Sequence, residues 1–170
     1  MGWMFLPLVQ YHGGGTAATI EPLREHLAHY QQRLINLFNA GVQVCYFGPR
    51  PYDAPQTREV VKRWVAFYKK YRSIFDADAI HLRRPDGRNW DGLLHVNPQR
   101  RFKGMLVIHN PTNQTIKKKL NIPLYYTGLK EQAEFIDWHG KHKIFKLQNY
   151  EKVTLPVELE PRSVSWWLIK

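Results

Sequence analysis

Cysteine is nearly absent from this 170-residue sequence, and its scarcity limits what the chain can be. The single residue, Cys45, excludes an internal disulfide bond and any metal site built from several cysteines. Long apolar runs are missing too, because the N-terminal WMFLPLV is short and interrupted by proline. That stretch also lacks the basic region of a signal peptide and the Ser or Thr of a myristoylation site. The sequence therefore predicts a soluble chain without a signal peptide or transmembrane segment.

Acidic residues are scarce relative to basic ones. Lys and Arg number 25 against 14 Asp and Glu, which gives a formal charge of +11 and a pI near 9.8. A nucleic-acid-binding protein usually concentrates its basic residues on one element, often beside stacking aromatics. Here they are spread along the chain, with only short clusters such as Lys117–Lys119. Nucleic-acid binding therefore remains only an alternative. A hydrophobic content of 44% with 14% aromatics is enough for a packed core.

The first half of the chain alternates apolar strands with amphipathic helices. Nearly continuous apolar runs predict strands over Trp3–Val9 and Val42–Phe47, of the kind found in parallel sheets. Helical spacing of apolar residues predicts one helix from about Pro22 to Ala40 and a second from Pro55 to Phe75. The order strand, helix, strand, helix is that of two parallel βα units.

Turn and cap residues support these boundaries. Gly41 follows the first helix where a left-handed cap is favoured. Asp53 with Gln56 matches a capping box for the second helix, with Pro55 tolerated in the first turn. Two βα units cannot close a barrel, and a two-stranded parallel sheet leaves both of its edges open. Either another chain completes this sheet, or the sequence is a piece of a longer protein.

The pattern changes near Asp76–Asp78, which predicts two domains, residues 1–77 and 78–170. The second half contains about eight short β-type segments separated by Gly, Pro and Asn, as in an antiparallel sandwich or Greek key. Hairpins are predicted around PDGRNW, NPTNQ and HGKH, and LYYTG is predicted as a strand. Lys117–Lys119, inside one strand, indicate an edge protected against aggregation rather than a phosphate site.

Several stretches carry a wider resemblance: GWMFLPLVQYHGGG, GVQVCYFGPRPYD, FYKKYR, GMLVIHNPTNQTIKKKLNIPLYYTGL and the closing SVSWWLIK. They are similar to the C-terminal end of α-galactosidase-like glycoside hydrolases, in which a (β/α)8 barrel precedes an antiparallel β-sandwich. The resemblance covers nearly the whole chain, although none of these stretches is a catalytic signature. It implies a fold of two terminal βα units of an incomplete barrel plus a sandwich, and a missing N-terminal barrel portion as partner.

The resemblance also implies an activity. The complete protein would cleave α-galactoside-type linkages without a cofactor, and its partner would be carbohydrate. The two catalytic aspartates of such enzymes come from earlier strands than those present here, so this chain alone is predicted to be inactive, with no catalytic residue of its own.

The candidate substrate-binding residues follow the two predicted strands. In a barrel the loops at the C-terminal ends of strands form the active-site rim. These loops contain Gln10 and His12 after the first strand, then Arg50, Tyr52 and Asp53 after the second. His12 is equally open to a loop hydrogen bond, and Asp53 to a helix-capping role.

Other chemistry is not indicated. The pairs His26–His29 and His139–His142 lack supporting ligands at a metal-site spacing, so no metal is predicted. Cys45 lies inside a predicted strand, which favours a buried structural thiol over a nucleophile. A second functional class stays open, a non-catalytic carbohydrate-binding sandwich. It would use sandwich aromatics, and it requires several such rings to be coplanar and exposed on one face. The candidates are Trp90, Tyr125, Tyr126 and Trp138.

Overall fold

The computed structural model describes residues 2–7, 20–48, 50–147 and 151–170. The chain divides into two compact units, Met1–Phe75 and Asp76–Lys170. Both α-helices lie in the first unit, and the second consists mainly of antiparallel strands. In the described part of the chain, no helix has the length and apolar character needed to cross a membrane.

The first unit contains two parallel strands, each followed by a helix. Strand β1 spans Gly2–Pro7 and pairs with β2, Val42–Phe47, in a register that places Gly2 opposite Val42. Helix α1 spans Leu27–Asn39 and helix α2 spans Pro55–Phe75. This is the predicted order of elements. The strand predicted to reach Val9 ends at Pro7, and the residues that follow it lie outside the described part of the chain.

Helix α1 begins later than the sequence suggests. Pro22 was expected in the first helical turn, but it precedes a 3₁₀ turn at Leu23–His26 that leads into α1. Gly41 ends the helix as predicted, with φ of +72° and its N–H donated to the Phe38 carbonyl at 3.0 Å. Only glycine adopts this left-handed conformation without a steric cost.

The two helices pack through aromatic side chains. The rings of Phe38 in α1 and Tyr68 in α2 lie 5.3 Å apart, and Tyr68 stacks on Phe75 at 5.7 Å. Leu23, Tyr30 and Leu34 are completely buried, as the predicted apolar stripe requires.

The second unit contains eight described strands: β3 Asp78–His81, β4 Asp91–Val96, β5 Gly104–Asn110, β6 Ile116–Pro123, β7 Gln132–Asp137, β8 His142–Lys146, β9 Lys152–Leu159 and β10 Ser163–Ile169. Six of them form a sheet in the order β3-β4-β5-β10-β7-β8, and β6 and β9 form a second, two-stranded sheet. All of these pairings are antiparallel.

One hydrophobic core joins the two sheets. Leu94, Leu106 and Ile108 of the larger sheet share it with Ile122 and Leu155 of the smaller one. Two antiparallel sheets therefore face each other across a common core, as in a β-sandwich. Alternate residues of β9 are buried, which is the pattern of a strand with one face on a core.

Two predicted hairpins are confirmed in this unit. Strands β3 and β4 pair around the turn at Asp86, whose Oδ1 accepts the Arg88 N–H at 2.9 Å. Strands β7 and β8 pair around HGKH, where Gly140 has φ of +78°. Lys117–Lys119 lie on an edge strand, as predicted: among the described residues β6 pairs with β9 alone, and these three side chains are exposed.

The third predicted hairpin is wrong. Strands β5 and β6 do not pair, because β5 lies in the six-stranded sheet and β6 in the two-stranded sheet. The cause is Asn110, which is 1% exposed. Its Nδ2 donates to the carbonyls of Gln114, Leu159 and Glu160 at 2.8–3.0 Å. These bonds attach the loop between β5 and β6 to the end of β9, where the chain passes from the larger sheet to the smaller one.

The predicted strand LYYTG is a 3₁₀ turn at Tyr125–Thr127 instead. The Thr127 hydroxyl donates to the Leu124 carbonyl at 2.6 Å, and Gly128 continues with φ of +74°. A side chain that bonds to its own backbone competes with strand pairing, and here that local bond prevails.

Candidate functional site

Three of the five predicted substrate-binding residues share one surface cavity. Arg50, Tyr52 and Asp53 line a cavity of about 420 Å³ together with Arg58 and Glu59 from the first turns of α2. The cavity lies in the loop that follows β2, as expected for residues at the C-terminal end of a parallel strand. Gln10 and His12 lie outside the described residues, so the described lining comes from the loop after β2 and the start of α2.

The Asp53 carboxylate joins this loop to the turn before α1. Its Oδ2 accepts the backbone N–H of Arg24 at 3.2 Å, and its Oδ1 accepts the Thr57 hydroxyl at 3.1 Å. Arg24 is the second residue of the 3₁₀ turn, and an N–H group at the start of a helical segment needs a partner from outside that segment. Asp53 therefore caps a helical segment that lies 29 residues earlier in the chain.

The predicted capping box of Asp53 and Gln56 at α2 is not formed. Ala54, not Asp53, is the N-cap, because its carbonyl accepts the first helical bond, from Arg58 N–H at 3.0 Å. The reciprocal side chain is Thr57, whose hydroxyl accepts the N–H of Ala54 at 3.0 Å and that of Asp53 at 3.1 Å. Gln56 was the wrong partner.

The environment of Asp53 keeps its carboxyl group ionised. Burial acts to raise the pKa of Asp53. The hydrogen bonds from Arg24 and Thr57 outweigh that effect, together with the positive charge of Arg50, and hold the pKa below its usual value. A carboxylate in this state accepts hydrogen bonds but does not donate a proton near neutral pH.

Glu21 and Tyr30 complete the site, and the sequence did not point to either role. The Arg50 guanidinium lies 3.7 Å from the Glu21 carboxylate, which orients the arginine at the cavity. The Tyr30 hydroxyl donates to the Pro51 carbonyl at 2.6 Å and so attaches the loop to helix α1. Burial, followed by the nearby Tyr46, Glu21 and Asp53, raises the pKa of Tyr30. Tyr30 therefore stays a neutral hydrogen-bond donor.

The cavity offers groups that suit a polyhydroxylated ligand. Arg50 supplies N–H donors that are half-exposed, and Tyr52 presents an aromatic ring that is 43% exposed. Sugar recognition commonly combines such groups, because one sugar face carries C–H bonds and the edge carries hydroxyls. Among the described residues, no group of three or more His, Cys, Asp and Glu side chains is placed to hold a metal ion.

The aromatic residues proposed for a flat sugar-binding surface on the sandwich do not form one. Tyr125 and Tyr126 are 63% and 58% exposed, but their rings meet at 88°. Trp90 is half-buried beneath the Arg83 guanidinium, 5.7 Å from its ring. Trp138 is 42% exposed and packs 6.2 Å from Trp167. The coplanar, exposed arrangement that this alternative requires is not found among these rings.

Comparison with known proteins identifies the fold. The α-amylase from Geobacillus thermoleovorans, solved with acarbose, matches 91% of this chain at 14% identity, with a TM-score of 0.58. A GH27 β-L-arabinopyranosidase from Geobacillus stearothermophilus is 13% identical over 99% of this chain, with a TM-score of 0.56. A variant of that arabinopyranosidase in complex with arabinose is 12% identical over 83%, with a TM-score of 0.52.

These matches show that the chain shares its fold with part of several glycoside-hydrolase structures. At such identities the similarity establishes the fold and nothing about residue roles. No protein-family model matches the sequence, and no curated protein matches it. The chain covers 36% of the amylase, 36% of the arabinopyranosidase and 30% of its variant, about a third of each.

Proposed function

We propose that this chain is the C-terminal part of a glycoside-hydrolase-like protein. Residues 1–77 would be the last two βα units of a (β/α)8 barrel, and residues 78–170 the sandwich that follows it. The observation that carries this proposal is the parallel pair β1–β2 with its two helices, joined to a match with a third of each glycoside hydrolase.

The incomplete burial of β2 supports an incomplete barrel. The described side chains of β2, at positions 42–46, are all half-buried, whereas the central strand β5 is buried at positions 104–108. Within the described residues, β1 and β2 pair only with each other, so each has an open edge. In a closed barrel every strand has two neighbours. Six further βα units would cover these edges and the exposed side of β2.

In the completed protein, Arg50, Tyr52 and Asp53 would form one wall of the sugar-binding site. Arg50 would donate to sugar hydroxyls, and Tyr52 would contact the sugar ring. Asp53 would hold the loop in place through Arg24 and Thr57, with its remaining hydrogen-bonding capacity turned to the cavity. Carbohydrate as the partner is supported by the enzymes that share the fold, and the α-galactoside linkage rests on the resemblance of the sequence.

The isolated chain would not hydrolyse glycosides. A retaining glycosidase needs a nucleophilic carboxylate and a carboxylic acid about 5 Å apart. The described carboxylates at this rim all have partners: Glu21 pairs with Arg50, Asp53 with Arg24 and Thr57, and Glu59 lies 3.9 Å from Lys62. Because the pKa of Asp53 is lowered, this residue is also a poor proton donor.

Substitutions in the completed protein test the rim assignment. The chain would be produced with the polypeptide encoded upstream of Met1 in the same reading frame, and aryl α-galactoside hydrolysis would be measured. Arg50→Ala is expected to raise KM by about tenfold or more, because a charged hydrogen bond contributes about 1.5–3 kcal/mol. Arg84→Ala, an exposed arginine of the second unit, is the matched control. An unchanged KM for the Arg50 variant would show that the rim assignment is wrong.

A further inference from the structure

A second cavity lies within the sandwich and shares no lining residue with the rim. It measures about 270 Å³ and opens between the β7–β8 hairpin of one sheet and β9 of the other. Its lining includes Trp138, Phe145 and Trp167 as aromatic walls, with Pro156 and Val157 from β9 opposite. Strands β8 and β9 are the outer strands of their sheets here, so the cleft is an open flank of the sandwich.

The aromatic walls are held in fixed positions. Trp138 packs 6.2 Å from Trp167, and its indole N–H donates to the His139 ring. Phe145 packs edge-on to Phe135, with ring centroids 5.2 Å apart. A pre-positioned ring loses little freedom when a ligand binds, which favours affinity. Trp138 remains 42% exposed although it sits among other aromatics, so its surface is accessible from the cleft.

Polar groups of both signs surround these rings. Asp137 and Glu158 contribute carboxylates, and Lys141 and Lys143 contribute ammonium groups. Oδ1 of Asp137 accepts two N–H bonds of the turn at 2.9 Å, and among the described residues its Oδ2 has no partner. Lys141 likewise makes no side-chain hydrogen bond or ion pair within the described part of the chain. Glu158 is paired with Lys117 at 2.7 Å, and the Lys143 ammonium lies 5.0 Å from the centroid of the Phe145 ring. The free acceptor and donor at the mouth of the cleft are therefore Asp137 Oδ2 and Lys141.

We propose that this cleft binds a neutral sugar. A sugar ring matches it on three counts. Its apolar face suits the exposed surface of Trp138, its hydroxyls suit Asp137 Oδ2 and the Lys141 ammonium, and its neutrality suits a lining that holds two carboxylates and two lysines. The volume lies near the lower end for ligand pockets, about 300 Å³, which limits the contact to about one ring. The proposal does not depend on the barrel assignment, because every group it uses belongs to the second unit.

Ligand-observed NMR on the full 170-residue chain tests this site. The probes are galactose, arabinose and maltotriose, each offered separately at millimolar concentration. At least one is expected to bind, and Trp138→Ala is expected to weaken that binding about tenfold, the loss of one good aromatic contact. Ile144→Ala is the matched control, since Ile144 lies on β8 and is 63% exposed but does not line the cleft.

Two further measurements separate loss of the aromatic contact from loss of folding. Trp138→Phe keeps an aromatic ring and is expected to retain most of the binding, while far-UV circular dichroism checks that both variants are folded. Binding that is the same in the parent and in the folded Trp138→Ala variant would overturn the proposal, as would the failure of all three probes. Concentration-dependent dimerisation that Trp138→Ala abolishes would also overturn it, because a second copy of the chain would then fill the cleft.

Discussion

Thr57 is the residue on which the shape of the candidate rim depends most directly. It is completely buried, and its hydroxyl accepts the N–H groups of Asp53 and Ala54 while donating to Asp53 Oδ1 or the Ala54 carbonyl. Thr57→Val keeps the shape of the side chain and removes only these bonds. The two N–H groups then lose their acceptor, and the loop loses its attachment to the start of α2.

The cost follows from the bonds removed. An N-capping side chain contributes about 0.5–2 kcal/mol, and leaving a partly buried polar group without a partner costs about 1–3 kcal/mol. Thr57→Val is therefore expected to lower the free energy of unfolding of the first unit by about 2–3 kcal/mol. With a urea dependence of about 1–3 kcal/mol per molar, the midpoint should fall by about 0.7–3 M.

Urea unfolding followed by ellipticity at 222 nm is the appropriate assay, because both α-helices lie in the first unit. Thr115→Val is the control, since Thr115 is exposed in the loop between β5 and β6, and its effect should stay within about 0.5 kcal/mol. A Thr57→Val protein with the same midpoint as this control would refute the capping role and the loop structure built on it.

Two further predictions concern the sandwich. Asn110→Ala should lower the free energy of unfolding of the second unit by about 3 kcal/mol or more, because three backbone carbonyls lose their donor. Urea unfolding followed by tryptophan fluorescence measures the loss. The control Asn113→Ala removes one exposed hydrogen bond from Arg162 and should lower the free energy of unfolding by less than about 1 kcal/mol. Equal losses in the two variants would contradict the prediction. Burial lowers the pKa of His109 from its usual 6.5, and the charge of Asp91 on the neighbouring strand partly opposes this effect. Below about pH 6.5 the unfolded chain therefore binds more protons than the folded one, and stability should fall as the pH falls. Unfolding at pH 7.5 and 5.5 should therefore show a larger loss for the parent than for His109→Gln, and parallel losses would mean that His109 does not titrate differently on folding.

Local sequence signals predicted much of this fold. Gly41, the turn at Asp86 and the hairpin at Gly140 each combine a glycine or Asx residue with flanking periodic segments, and the structure uses them as predicted. The errors arise where one side chain redirects the backbone. Asn110 binds carbonyls that are about 50 residues away, and no local pattern announces such a bond.

The candidate site shows the same limit. Position after a strand was enough to bring Arg50, Tyr52 and Asp53 into one cavity. The partners of Asp53 were not predictable, because Arg24 is 29 residues earlier and offers a backbone group rather than a side chain. The predicted capping box did not form because the N-cap is Ala54, whose side chain has no acceptor, and the Thr57 hydroxyl accepts the Ala54 N–H instead.

Hydrolysis by the isolated chain tests the central claim most directly. The purified 170-residue protein would be incubated with aryl α-galactosides beside the protein extended by its upstream reading frame. We expect no turnover above the uncatalysed rate for the isolated chain and measurable turnover for the extended protein. Robust hydrolysis by the isolated chain, surviving further purification, would contradict the account, since a complete active site would then lie within these residues.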